Sequence, residues 1–317
     1  MPNTVGVVMD PISAINIKKD STFAMLLEAK ARKHSLFYIE MQNLMLRDGK
    51  PFALCQPLEV FDDAERWFEL GEAEEIDLAD LDVILMRKDP PFNMDFVYAT
   101  YVLERAEIDG CLVVNRPASL RDCNEKLFTA WFPEVCPTTL VASQSKAIKD
   151  FVNQHQDVIL KPLDGMGGAS IFRVKADDPN TNVIIETLTG HGQHLAMAQK
   201  FIPQISEGDK RVLVVGGEPI PYTLARIPAK GETRGNLAAG GSGVAMPITE
   251  KEREIATMLG PELMRRGLYF VGLDIIGGHL TEINVTSPTC IREIDAAYQT
   301  NIAGKLWDTL ETTLAER

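Results

Sequence analysis

A lysine followed by a glycine-rich turn lies between two apolar segments of this sequence. Residues 157–170 read DVILKPLDGMGGAS, so Lys161 ends the first segment, and Gly165, Gly167 and Gly168 lie in the turn. Glycine N–H groups can close over phosphate oxygens without interference from a Cβ, and a lysine beside them adds positive charge. The spacing matches neither G-x-x-x-x-G-K-[ST] nor G-x-G-x-x-G. The segment indicates either a different phosphate-binding loop or a plain glycine turn between two strands.

A second candidate site lies in a predicted hairpin, where Asp274 precedes a glycine pair and Glu282 and Asn284 follow it. Glu282 and Asn284 are two residues apart on a strand, so their oxygens face the same side and suit a hard cation. With a simple two-residue turn, Asp274 would pair with position 281 and face away from Glu282. A three-residue connection or a bulge would place Asp274 opposite Glu282. We predict this second register and a cation site; a solvated strand face is the alternative.

Further cations and polar residues are dispersed along the same part of the chain. Each alone is typical of a protein surface. Together with the glycine turn and the hairpin, they supply the parts of an ATP site in a recognisable order. They are Lys126, Gln199, Lys200, Phe201, Asp209, Arg211, Arg226 and Arg234.

The first part of the chain alternates between strand and helix patterns. Apolar strand-like runs occur at 5–9, 36–41, 83–86 and 111–115, and helical patterns occur at 21–33 and 95–107. This order predicts a parallel sheet with helices on both faces, because parallel strands need crossover connections. Residues 42–80 are acidic and carry no recognisable motif, so we expect irregular structure there.

After residue 119 the pattern changes to hairpins. Residues 122–125 (DCNE) resemble a capping box and predict a helix that carries Lys126. Hairpins are predicted around the glycine pairs 216–217 and 277–278. Residues 227–243 are rich in glycine and almost free of bulky apolar side chains, which predicts a mobile surface loop. We place the main domain boundary near residue 122.

Composition limits the classes of function. The 317 residues are 45% hydrophobic and 24% charged, as in globular proteins, and 32 basic against 45 acidic residues give a net charge of −13. Such a charge argues against nucleic acid or a membrane surface as partner. The five scattered cysteines form no C-x-x-C pair, no apolar run approaches the ~18 residues of a membrane span, and no signal-like segment is present. We therefore expect a cytoplasmic protein.

These parts, in this order, resemble the ATP-grasp superfamily, and longer segments resemble the bacterial glutathione synthetase family. The segments are Met9–Ala29, Ile84–Phe92, Ser119–Phe132, Leu160–Lys175, Glu232–Gly241 and Phe270–Ile294. The resemblance implies an α/β protein: an N-terminal parallel α/β (Rossmann-like) domain in residues 1–122, then an ATP-grasp fold of two α+β lobes in residues 123–202 and 203–317. It also implies a homotetramer.

The activity implied by the resemblance is ATP-dependent ligation of γ-glutamylcysteine to glycine, giving glutathione, ADP and phosphate. A carboxylate is a poor electrophile because its charge repels an incoming amine. The cysteinyl carboxylate is therefore expected to become an acyl phosphate, which the amine of glycine attacks. Positioning and charge neutralisation are expected to supply most of the rate acceleration.

The resemblance also implies a role for each candidate residue. It assigns ATP binding to Lys126, Lys161, Gly165, Gly167, Gly168, Gln199, Lys200, Phe201 and Asp209. It assigns Mg²⁺ or Mn²⁺ to Asp274, Glu282 and Asn284, and stabilisation of the reacting groups to Arg211, Arg226 and Arg234. The candidates for substrate contacts are Lys18, Arg87, Ser287, Thr289 and Arg292. Residues 227–243 are expected to close over the site as a lid and exclude water.

Two alternatives remain from the sequence. The first is another ATP-grasp ligase, such as a D-alanine–D-alanine ligase or a glutamate ligase, which would differ in the N-terminal segments and in residues 287–292. The second is a non-catalytic ATP-binding module. The presence of both lysines, the glycine turn and all three metal-ligand candidates argues against this second alternative.

Overall fold

The computed structural model describes residues 3–165, 167–229, 235 and 240–317. Within these ranges the strands form three sheets. The first contains β1 (Thr4–Val8), β2 (Ser35–Ile39), β3 (Leu44–Arg47), β4 (Lys50–Val60), β5 (Phe68–Leu70), β6 (Glu74–Asp77), β7 (Val83–Met86) and β8 (Leu112–Val114). Its order is β3-β4-β2-β1-β7-β8, and both β5 and β6 pair with β4. Strands β2, β1, β7 and β8 are parallel, as predicted.

Helices α1 (Ser21–Ala31) and α2 (Met94–Ile108) cover opposite faces of this sheet. Alternate residues of β7 show this: Leu85 packs with Phe23 of α1, whereas Ile84 packs with Phe96 of α2. Each helix begins at a capped residue, because the side chains of Asp20 and Asn93 accept N–H groups of the first turn. The predicted helices on both faces are therefore confirmed.

Two local predictions in this region were wrong. Residues 42–80 are mostly strands and not irregular: β4 alternates buried and more exposed positions, but in its first half the buried positions include the small residues Ala53 and Cys55, which give a weak strand signal. The expected capping box at 122–125 is absent, since Asp122 ends α3 (Pro117–Asp122). The Asn124 side chain instead accepts the N–H groups of Lys126 and Leu127, and a short 3-10 helix follows at Leu127–Trp131.

The second sheet consists of β9 (Thr139–Ala142), β10 (Asp157–Pro162), β11 (Phe172–Lys175) and β12 (Ala196–Lys200). Its order is β11-β10-β12-β9, and all pairs are antiparallel. Helices α4 (Ser145–His155) and α5 (Thr181–Thr189) pack on it around Ile148, Val152 and Ile185. This sheet therefore has a core of its own.

The third sheet carries the two predicted hairpins. Its strands are β13 (Asp209–Val215), β14 (Glu218–Ile227), β15 (Ser242–Pro247), β16 (Phe270–Ile276) and β17 (His279–Asn284), in the order β15-β14-β13-β16-β17. Asp274 lies opposite Glu282, because the register shifts at a bulge next to Asp274. The predicted register is confirmed. Helices α6 (Glu250–Arg265), α7 (Ile291–Tyr298) and α8 (Ile302–Ala315) complete the chain.

The last helix connects the third sheet to the first. Trp307 of α8 is fully buried, and its Nε1 donates to the carbonyl oxygen of Met25 in α1 at 2.9 Å. Arg32, at the end of α1, donates to the carbonyl oxygen of Gly304 and to Glu311. The N-terminal sheet and the C-terminal helices thus share one apolar core.

We expect Trp307→Ala to lower the free energy of unfolding by about 3–5 kcal/mol, because it leaves a cavity in this shared core and removes a hydrogen bond. Chemical denaturation monitored by circular dichroism measures the change. Thr312→Ala, an exposed position on the same helix, is the control and should change stability by less than about 0.5 kcal/mol. Equal stabilities of the two variants would contradict this account of how α8 packs.

Candidate active site

A cavity of about 460 Å³ lies where the three sheets meet. Its size is typical of a site for a small ligand or cofactor. The second sheet contributes β10, β12 and the glycine turn, and the third contributes β13, β16 and β17. The loop after β7 closes another side with Asp89, Pro90 and Phe92.

The predicted phosphate-binding parts converge at one side of this cavity. Lys161 is only 4% exposed, and its Nζ lies 3.9 Å from Oε1 of Glu282. Burial lowers the pKa of Lys161. Among the described residues Lys161 donates no hydrogen bond, although a buried ammonium group needs such partners. An anionic ligand would supply them.

Lys126 approaches the same carboxylate from the other side. Its Nζ lies 3.8 Å from Oε1 of Glu282 and donates to Glu125 and to the carbonyl oxygen of Gly165. Burial alone would lower the pKa of Lys126, but Glu282 and Glu125 outweigh burial and raise it. Lys126 is therefore a charged group held against the glycine turn.

The glycine turn lines the cavity with Gly165, Gly167 and Gly168. Gly167 and Gly168 have φ of 63° and 83°, a region that residues with a Cβ adopt at a cost. Gln199, Lys200 and Phe201, which were all predicted to bind ATP, also line the cavity, where β12 ends. The structure thus brings most of the predicted ATP-binding residues to one cavity.

Two carboxylates and two guanidinium groups form a buried network on neighbouring strands. Asp274 binds Arg211 through both oxygens, and its Oδ2 also lies 2.8 Å from Nη2 of Arg226. Arg226 in turn binds Asp209. Burial acts to raise the pKa of Asp274, but Arg211 and Arg226 outweigh it and hold that pKa below its usual value.

Asp209 differs from Asp274 although both are buried. Its Oδ1 has no hydrogen-bond partner in the described part of the chain, and burial raises the pKa of Asp209 to about 7. Asp209 lines the cavity, so a ligand donor can reach it. An unpartnered buried acceptor of this kind fits a ribose hydroxyl or an amino group.

The hairpin offers oxygen ligands for a hard cation. Glu282 and Asn284 line the cavity, and Glu282 accepts no hydrogen bond from any described residue. Asn284 uses its Nδ2 to reach the carbonyl oxygen of Gly272, which leaves its Oδ1 available. Both fit Mg²⁺. Asp274 also lines the cavity, but it fits only as a ligand that shares its oxygens with Arg211 and Arg226.

Some predicted site residues lie outside the cavity wall. Arg226 stands behind Asp209 and Asp274, and of the two predicted arginines that the structure describes, only Arg211 reaches the lining. Arg234 is outside the residues that the structure describes, as are most of positions 230–239 in the expected lid.

The predicted substrate residues divide into two groups. Ser287 and Thr289 line the cavity. Lys18 is exposed away from it, and Arg292 pairs with Asp62 at 2.9 Å. Arg87 is buried and donates to the carbonyl oxygen of Pro288 at 2.8 Å, so it holds the 287–289 loop in place. The structure does not place Lys18, Arg87 and Arg292 in the cavity wall: Arg87 and Arg292 are paired within the protein, and Lys18 lies in a surface turn. Their contacts with substrate stay predictions.

Sequence reasoning missed two acidic residues of the cavity wall. Burial and the neighbouring Glu282 raise the pKa of Glu125, which had been interpreted only as part of a capping box. Asp89 accepts a hydrogen bond from Thr286, and burial raises its pKa. The available signals were Glu125 next to Lys126 and Asp89 three residues after the end of a buried strand.

Comparison with known proteins gives full-length matches. The profile described as prokaryotic glutathione synthetase, N-terminal domain, matches residues 4–121, and that described as prokaryotic glutathione synthetase, ATP-grasp domain, matches residues 125–299. A glutathione synthetase of Vibrio parahaemolyticus is 63% identical over 97% of both chains. One of Pseudomonas putida is 62% identical over 99% of both.

Solved structures share the fold at low identity. The D-cycloserine synthetase DcsG superimposes with a TM-score of 0.67 at 13% identity, covering 98% of this chain and 99% of that one. The ATP-grasp ligase PsnB, solved with a minimal precursor, Mg and ADP, gives 0.63 at 18% identity over 98% of both chains. In the described part of the chain, no helix is both long and apolar enough to cross a bilayer.

The Asp274 network makes a testable contribution to stability. We expect Asp274→Asn to lower the free energy of unfolding by about 3–5 kcal/mol, because it leaves the buried guanidinium group of Arg211 uncompensated and removes one of the two carboxylates paired with Arg226. Asp308→Asn, in an exposed pair with Arg32, should cost no more than about 1 kcal/mol.

The loss of unfolding free energy in Asp274→Asn should depend on pH in one direction. The folded-state pKa of Asp274 is below its usual value of 3.8, so its stabilisation is present above that pH and is lost as the pH falls. The difference in unfolding free energy between the wild type and Asp274→Asn, measured by denaturant titration, should therefore become smaller below pH 3.8. A gap that widens in acid would contradict the assignment.

Proposed function

The chain belongs to the prokaryotic glutathione synthetase family of ATP-grasp ligases, and from this membership we propose that it joins γ-glutamylcysteine to glycine. The reaction converts ATP to ADP and phosphate. One observation supports this most directly: a cavity lined by Lys161 and a glycine turn on one side and by the Glu282–Asn284 pair on another. Lys126 lies behind this wall and holds the turn through the carbonyl oxygen of Gly165.

Phosphoryl transfer needs negative charge to be neutralised while the reacting atoms are held in line. Lys126 and Lys161 bind the phosphates of ATP, and the glycine turn closes over them with its N–H groups. Gln199, Phe201 and Asp209 hold the adenosine. Glu282 and Asn284, with Asp274 behind them, would hold Mg²⁺, which would screen the charge of the transferred group.

The second half of the reaction needs an activated carbonyl and a positioned amine. Arg211 faces the cavity with a fixed orientation, because Asp274 binds its guanidinium group through both oxygens. A guanidinium so held can stabilise the transferred phosphoryl group and the oxyanion of the tetrahedral intermediate. Ser287 and Thr289 bind the glycine carboxylate, and Arg226 acts indirectly by fixing Asp209 and Asp274.

Other features of the proposal remain predictions. A cytoplasmic location is supported by the five free cysteines, of which four are buried, since a reducing compartment keeps thiols free. Manganese in place of magnesium is compatible with the same oxygen ligands. The homotetramer and the domain boundary near residue 122 also stay predictions.

The reaction itself can be tested by omission. Purified protein is given ATP, Mg²⁺, γ-glutamylcysteine and glycine, with each amino substrate left out in turn. We expect glutathione by mass spectrometry, in step with ADP release, only when both are present. Release of ADP without glutathione would point to another carboxylate–amine pair, and ATP binding without turnover would point to a non-catalytic module.

The phosphate assignment predicts that Lys161→Met weakens ATP binding by about 10- to 100-fold, because one charge-assisted hydrogen bond is lost. Isothermal titration calorimetry with Mg-ATP measures this. Methionine keeps most of the apolar stem of lysine, so the fold should persist. Lys146→Met, on the exposed surface of α4, is the matched control and should bind ATP as the wild type does. Unchanged affinity in Lys161→Met would overturn the assignment.

A further inference from the structure

One carboxylate of the cavity wall, that of Asp89, has no partner of opposite charge among the described residues. It accepts a hydrogen bond only from the neutral hydroxyl group of a threonine there. Apart from an exposed aspartate of the glycine turn, the other carboxylates of the described wall face cations of the protein. Asp209 and Asp274 pair with arginines, and Glu125 and Glu282 lie against lysines. Asp89 is therefore an acceptor that the protein leaves for a ligand.

The cations next to Asp89 in the sequence are engaged elsewhere. Lys88 pairs with Asp10 at 2.6 Å, and the buried guanidinium group of Arg87 donates to a hydroxyl and a carbonyl oxygen. Burial raises the pKa of Asp89, although the hydrogen bond from Thr286 acts in the opposite direction. A half-buried carboxylate in these surroundings is stabilised when a ligand brings a positive charge to it.

Asp89 also lies at the edge of the first sheet where parallel α/β sheets bind ligands. Strand β1 lies between β2 and β7. The chain runs from β1 through α1 to β2, and from β7 through α2 to β8, and the two helices cover opposite faces. Such a reversal opens a crevice beyond the carboxyl ends of the two central strands. Asp89 follows the end of β7 by three residues, and the Lys88–Asp10 pair joins the ends of β7 and β1.

We propose that Asp89 binds the α-ammonium group of the γ-glutamyl residue of the peptide substrate. This inference rests on the proposed function, because it takes γ-glutamylcysteine as the substrate. Only γ-glutamylcysteine and glycine bring an ammonium group to that reaction. Glycine must lose a proton before its amine attacks, whereas the glutamyl ammonium group stays charged throughout. A fixed carboxylate therefore suits the glutamyl group, with which it forms a charge-assisted hydrogen bond.

This contact gives the peptide a direction in the cavity. In an extended γ-glutamylcysteine the ammonium group and the cysteinyl carboxylate are about 8 Å apart by standard bond lengths. With the ammonium group at the edge of the first sheet, the cysteinyl carboxylate lies toward the second and third sheets, which carry Lys161 and Glu282. Thr286, which donates to Asp89, directly precedes Ser287 of the proposed glycine site. One loop thus serves both amino substrates.

Steady-state kinetics of Asp89→Asn test the contact from the side of the protein. Asparagine keeps the shape of the side chain and an oxygen that accepts from Thr286, but it carries no charge. We expect the KM for γ-glutamylcysteine to rise about 10- to 100-fold, because one charge-assisted hydrogen bond is lost, and the KM values for glycine and ATP to stay unchanged. Asp177→Asn, exposed in the turn after β11, is the matched control and should keep all three wild-type KM values. Circular dichroism checks that both variants fold.

An analogue without the ammonium group, glutaryl-cysteine, tests the contact from the side of the ligand. The wild type should use it with a kcat/KM about 10- to 100-fold below that for γ-glutamylcysteine, whereas Asp89→Asn should show little preference between the two.

Three outcomes would overturn the proposal: a wild type that uses both peptides equally well, an Asp89→Asn variant that keeps the full preference, or a rise in the KM for glycine alone. The last would assign Asp89 to the ammonium group of glycine. A wild type that forms no glutathione would instead refute the proposed function.

Discussion

A buried network of two carboxylates and two guanidinium groups fixes the wall of the cavity. Arg211 lies directly opposite Asp274 on the neighbouring strand, and Asp209 lies directly opposite Arg226. Buried charges cost several kcal/mol each unless they are paired, so these cross-strand pairs hold β13, β14 and β16 in one register. The bulge beside Asp274 then sets which residues of β17 face the same side. Glu282 and Asn284 reach the cavity as a consequence.

The same network explains why the two sides of the cavity differ electrostatically. Asp274 and Asp209 face arginines, whereas Glu282 faces Lys126 and Lys161 at 3.8 and 3.9 Å without a hydrogen bond. The carboxylates of Asp274 and Asp209 are thus paired with cations of the protein itself. In the second set the charges are near one another but remain available, which suits a site that must accept a polyphosphate and a cation together. The two sets lie on neighbouring strands, because Asp274 of the first set is the direct cross-strand partner of Glu282 in the second.

The cavity also depends on contacts between distant parts of the chain. Arg87, which directly follows β7 of the first sheet, donates a hydrogen bond to the carbonyl oxygen of Pro288, and Trp307 of α8 packs on α1. The first contact positions the loop that carries Ser287 and Thr289. The second closes the apolar core that supports the first and third sheets. Residues that touch no ligand therefore decide where the ligand-facing residues lie.

The sequence by itself determined the features that depend on neighbours a few residues apart. It indicated the parallel strands with their crossover helices, both glycine hairpins, the Asp274 register and the glycine turn after Lys161, because periodicity and turn chemistry are local. Its long motifs also determined the family. It failed in residues 42–80, where the buried positions include small side chains such as Ala53, and at 122–125, where Asn124 binds the backbone instead of a capping box.

Only the tertiary structure decided which charged residues are free. Arg211 and Asp274 are 63 residues apart, and Arg87 and Pro288 are 201 apart. The sequence shows each of these arginines but not its partner, so it does not reveal that Arg87 and Arg292 are paired within the protein. Burial is equally hidden in the sequence: Tyr98 and Leu103 of α2 are both apolar, but Tyr98 is exposed and Leu103 is fully buried. Burial is a property of the packed chain, and it distinguishes a core residue from a surface residue.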